Sequence, residues 1–65
     1  MRGAEREALE VIAAKADLDE ADEYLTLAYR TGAVGADALQ AVERFAACRA
    51  AFETRVERYL FAHTT

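Results

Sequence analysis

Three groups of residues in this chain carry chemistry: the lone thiol and imidazole, Cys48 and His63; the acidic run Asp17, Asp19, Glu20, Asp22 and Glu23; and the arginines Arg44, Arg49, Arg55 and Arg58. A nucleophilic cysteine needs a base within reach. The sole histidine lies further along the same predicted helix, about 22 Å away at 1.5 Å per residue. Cys48 instead reads as a small buried hydrophobe. A structural zinc site takes four Cys or His ligands, and these two residues are all the chain has. Helical bundles that hold two metals use glutamates with a Glu-x-x-His pair, and Leu60 stands three residues before His63. There is no Ser-His-Asp set, phosphate loop or dinucleotide fingerprint. The expectation is a protein that is not an enzyme and uses no cofactor or metal, so the acids and arginines are left as recognition groups.

The acidic run sets five carboxylates in seven positions with no base between them. Like charges three or four apart on a helix repel, so something must offset them. A solvated helix face would do so. So would pairing across a hairpin: with residue i level with about 67 − i, the acids fall beside Arg44 and Arg49. The functional reading is a docking face for a basic protein surface, with Asp19, Asp22 and Glu23 as contacts and the off-line Phe61 as an apolar anchor. Arg49 falls within or beside an apolar line, so it should pair with Glu53, or with Asp17 or Glu20 across the hairpin. Otherwise it is exposed to bind phosphate or carboxylate. The net charge of −4 argues against generic binding to nucleic acid or an anionic membrane. The alternative face is nucleic-acid binding through Arg44, Arg55 and Arg58, doubled into a basic stripe by two-fold symmetry.

The elements that position these groups follow from composition and period. Proline is absent, and alanine, leucine, glutamate and arginine dominate, which predicts an all-α chain. In the first half Val11, Ala14, Leu18, Ala21, Leu25 and Ala28 alternate steps of three and four, the signature of a helix facing a partner helix. Leu9, Ala13, Ala16, Tyr24 and Leu27 form a second apolar strip that one neighbouring helix cannot also cover. In the second half the apolar line is Ala38, Val42, Phe45, Cys48, Phe52, Val56, Tyr59 and His63. Its aromatic residues face the alanines of helix one, so large-into-small packing is expected.

Between the halves, Thr31-Gly32-Ala33-Val34-Gly35-Ala36 raises the question of a ligand loop. Arg30 in the last turn and Gly32 just beyond it match a helix stop with glycine in the left-handed conformation. Gly35 can cap the next helix with Val34 stapled to Leu39, or Asp37 can cap it with Gln40 reaching back. The loop of KH domains that clamps nucleic acid also joins two helices, but that module needs a three-stranded sheet, and no part of this chain reads as strand. The predicted fold is an antiparallel helical hairpin, about 4–31 and 36–62, forming a single domain.

A 65-residue chain without a disulfide or zinc site is short of core, and self-association is the remaining source of burial. Pairing two hairpins into a four-helix bundle would cover the second strip. Val11, Leu18, Leu25, Phe45, Cys48, Phe52, Val56 and Tyr59 are the expected core and dimer residues. In length and helix count the layout is similar to that of the Rop family of plasmid copy-number regulators, short hairpins that dimerise and bind paired RNA stem-loops through one face. The resemblance implies the same nucleic-acid alternative, and no functional residue aligns to it. No apolar run approaches the roughly 20 residues that cross a bilayer, and the N-terminus has no signal-peptide segment. The expectation is a cytoplasmic homodimer that binds another protein with a basic surface and no membrane.

Overall fold

The computed structural model describes the backbone of residues 2–64 and the side chains of residues 5–62. Two helices, α1 (Arg2–Arg30) and α2 (Ala36–Thr64), fold back on each other as a hairpin. The outer ends run about two residues beyond the expected bounds. The molecule measures 47 × 13 × 11 Å, a rod only two helices thick.

The turn is made by backbone chemistry. Gly32 takes φ 74°, and two hydrogen bonds close the end of α1: the Gly32 amide donates to the Tyr29 carbonyl at 3.1 Å, and the Ala33 amide donates to the Ala28 carbonyl at 2.9 Å. This pair of bonds is the Schellman closure, which satisfies carbonyls that a helix end leaves open. The Thr31 hydroxyl also donates to the Ala28 carbonyl, at 3.1 Å. Gly35, at φ 68°, supplies the carbonyl that accepts the Leu39 amide at 3.0 Å and so opens α2. Of the two caps considered, Gly35 is the one used, and Asp37 sits inside the first turn, where its charge suits the helix dipole. The hydrophobic staple is not formed: Val34 is 80% exposed and Leu39 57%.

The seam follows a strict seven-residue repeat. Val11, Ala14, Leu18, Ala21, Leu25 and Ala28 of α1 all face inward, and Ala21 is fully buried. On α2 the inward row is Ala38, Ala41, Phe45, Cys48, Phe52, Arg55, Tyr59 and Ala62. Ala41, at 0% exposure, takes the place expected for Val42, which is 39% exposed. His63 lies outside the described side chains. The difference has a physical cause: helices that wrap around each other keep a 3.5-residue period, whereas stepping through every apolar residue follows 3.6 and drifts off the seam. The cross-pairs Glu20–Arg44 and Glu10–Arg58 bracket a register in which residue i lies level with about 66 − i. Phe45 is then level with Ala21, Phe52 with Ala14, and Leu25 with Ala41, so each large side chain meets a small one.

Two predictions follow from these positions. A Cβ added at Gly32 meets no atom within 4 Å, so the glycine is needed for its left-handed backbone and not for space. Gly32→Ala should destabilise the hairpin by about 1 kcal/mol, with Gly32→Asn losing less, measured by thermal melting. Glu7 continues the α1 seam one step before Val11, and its Oε1 is covered without a hydrogen bond among the described residues. Removing that unpaired acceptor with Glu7→Leu should raise stability by about 1 kcal/mol in the same melt.

Candidate interaction surfaces

A hairpin with one seam has two flanks, and charge distinguishes them. On one flank α1 presents Glu10, Asp17, Glu20 and Tyr24 towards the arginines of α2. Arg44 reaches Glu20 at 3.4 Å, and its guanidinium lies 5.6 Å from the centre of the Tyr24 ring. Further from the turn, Arg58 approaches Glu10 at 3.9 Å. Between these two bridges lies a shallow groove lined by Glu10, Asp17, Cys48 and Arg55, with alanines at its floor. Pairing of the acids with Arg44 is therefore realised. Arg49 lies on the other side and pairs with Glu53 one turn on, at 3.4 Å. It is exposed, not embedded in the apolar line as its spacing suggested, again because the seam follows the shorter period.

The acidic run does not form one face. At about 100° per residue, five acids in seven positions fan around every side of α1 except the seam. Asp19, Asp22 and Glu23 share the outer arc, and all three are exposed. Lys15 bridges Asp19 at 3.3 Å, whereas Asp22 and Glu23 make no ion pair among the described residues. Phe61 is 70% exposed, in keeping with its off-line position. It does not join the acidic arc, because it stands near the open end of the hairpin. Asp22 is level with about residue 44, which puts the two some 25 Å apart along the axis.

The alternative nucleic-acid face is also rearranged. Arg44 and Arg58 are exposed, and each is turned towards an acid of α1. Arg55, expected to point outward, is half-buried at the edge of the seam, where the heptad places it next to the groove. The stacking of Arg44 on Tyr24 was missed from sequence. Its signal is present in hindsight: Tyr24 follows Glu20 by four, so both look at the same point on α2.

Among the described residues no three His, Cys, Asp or Glu side chains converge on a metal-sized position, and no helix is long and apolar enough to cross a membrane. Comparison of the chain with protein-family profiles, with curated proteins and with solved structures finds no match. The geometry of the chain itself therefore carries the functional reading.

Because both partners of the Glu20–Arg44 bridge are well exposed, solvent screens it. A double-mutant cycle with Glu20→Ala and Arg44→Ala should give a coupling of no more than about 0.5 kcal/mol, read by thermal melting at low salt and lost in high salt.

Proposed function

We propose that this chain is a non-enzymatic interaction module, an adaptor, inhibitor or regulatory subunit of the cytoplasm, that works as a homodimer. In this reading it offers the outer acidic arc of α1 to a protein with a basic surface. One observation carries the reading: the hairpin leaves large apolar side chains in water along both helices. Leu9, Ile12 and Leu27 on α1 and Leu39, Leu60 and Phe61 on α2 are each more than half exposed, and among the described residues no large side chain is fully buried. The accessible surface is 5064 Å², against about 4,100 Å² for a compact monomer of this mass. The radius of gyration is 14.8 Å, where about 11 Å is usual for this length. A second hairpin completing a four-helix bundle would cover part of that excess.

The acids Asp19, Asp22 and Glu23 supply the second half of the proposal. They cluster on one arc, and Asp22 and Glu23 make no ion pair among the described residues. A field of that kind speeds encounter with a basic partner and selects against acidic ones. RNA or DNA binding through Arg44, Arg55 and Arg58 is the rival, and it needs side chains that here face the acids of α1.

Light scattering at micromolar concentration should return twice the chain mass. Reversing Asp19, Asp22 and Glu23 to lysine should leave helicity unchanged and abolish capture of the partner that the unmodified chain retains. Undiminished capture would remove the acidic arc from the proposal. A shift of structured RNA at low salt that vanishes at high salt would favour the rival.

A further inference from the structure

The inward row of α2 has a copy of itself one residue on. Val42, Ala46, Arg49, Glu53, Val56 and Leu60 repeat at steps of four and three, each just past an inward position. The second row is therefore turned about 100° from the first, away from the arginine flank. Val42 and Leu60 are 39% and 54% exposed, Ala46, Arg49 and Glu53 are exposed, and Val56 is half-buried between the two rows.

This row is complementary to itself when reversed. Turned end for end about Ala51, it sets Val42 opposite Leu60, Ala46 opposite Val56, and Arg49 opposite Glu53. Each of these pairs joins the two kinds of seam position that meet across an antiparallel helix pair. The outer layers are aliphatic, the next set a branched side chain against an alanine, and the centre holds two arginines and two glutamates in alternation.

We propose that a second copy of this chain docks on that row, α2 against α2, antiparallel about a two-fold axis beside Ala51. Each Arg49 then bridges Glu53 of the partner copy at the centre of the interface. This inference rests on the dimer reading above and identifies the surface responsible.

Charge favours this face over the leucine-bearing row of α1. The row of α1 that carries its exposed leucines lies two residues past the inward positions, on the side opposite the seam: Leu9, Ala13, Ala16, Glu20, Glu23 and Leu27. Reversed on itself it brings Leu9 opposite Leu27, but it also gathers four glutamates around the axis, and among these only Glu20 has a bridge, to Arg44 of its own copy. Asp19 and Asp22 of both copies flank the same region. Like charges set against each other across an interface are penalised by several kcal/mol. The same logic fixes direction on α2: a parallel pair would place Arg49 against Arg49 and Glu53 against Glu53. One charged layer that is satisfied only in a single register is an established way for paired helices to specify orientation. Within one copy Arg49 and Glu53 already lie 3.4 Å apart, so the groups are held at the surface where the partner's charges arrive.

The test uses three full-length chains in sedimentation equilibrium at low salt, with circular dichroism as a check on helicity. Arg49→Glu makes the central layers wholly acidic, and Glu53→Arg makes them wholly basic. Each alone should self-associate at least about tenfold more weakly than the unmodified chain. Mixed one to one, they should regain a dimer of one copy of each. A role confined to the bridge within a single helix predicts no such rescue in trans. Leu9→Glu with Leu27→Glu should leave dimerisation unchanged. If the unmodified chain is a monomer throughout the concentration range, the dimer reading falls and this interface with it. If it is a dimer that ignores both charge reversals, or that only the α1 substitutions disrupt, the dimer stands and this interface is overturned.

Discussion

Two helices can lie against each other only as closely as the side chains between them allow, and here alanine sets that distance. Ala21 and Ala41 are completely buried and Ala14 nearly so, while the residues level with them are Phe45, Leu25 and Phe52. The small residue on one helix makes room for the large one on the other, which lets a single seam hold together without a second layer. The same economy limits what the seam can do. Alanine contributes little apolar area, no large side chain among the described residues is wholly removed from water, and both sides of the rod remain open. The hairpin's surface chemistry follows from the thinness of its core.

Once the seam sets the register, it also decides which charges meet. Glu20 and Glu10 come within reach of Arg44 and Arg58, and Arg44 settles over the Tyr24 ring. These contacts are solvent-exposed, so they add little stability. Their effect is to balance one flank: the arginines of α2 answer the acids of α1 that look their way. Asp22 and Glu23, turned outward, receive no such answer. The acidity of the first half of the chain is thereby sorted into a flank paired across the hairpin and an outer arc on which Asp19 alone has a bridge, to Lys15.

The all-helical hairpin, its turn and the α1 seam were legible from sequence, because each rests on local rules. Alternating three-four spacing, a glycine stop and the absence of proline act within a few residues of where they are read. The α2 row was harder. Val42 is larger and more apolar than Ala41, and hydropathy alone draws it inward; the requirement that overrides it is the partner helix, whose alanines and leucines need a strict heptad opposite them. Arg55 was misplaced outward for the same reason. The acidic run shows another limit: density along the chain suggested one face, yet consecutive positions on a helix point in different directions, and only Asp19, Asp22 and Glu23 share an arc. Phe61 has the expected exposure, but its distance from that arc is a property of hairpin register that spacing within one helix does not contain.

The two rows of α2, about 100° apart, are what a helix at the corner of a bundle needs, because such a helix has neighbours on two adjacent sides. Its inward row is already occupied by α1, and the adjacent row carries a neutral, reversible pattern of apolar and charged layers. On α1 the outward row has leucines at its ends and glutamates in its middle, so close approach of two α1 helices would concentrate charge where burial must begin. The acidic run thus acts on assembly even before any partner is considered: it disfavours α1 as a self-contact and leaves α2 to take that part. In the proposed dimer the helix that joins the copies and the helix that meets a partner are different ones, and the charge that separates the two roles is the same charge that would attract the partner.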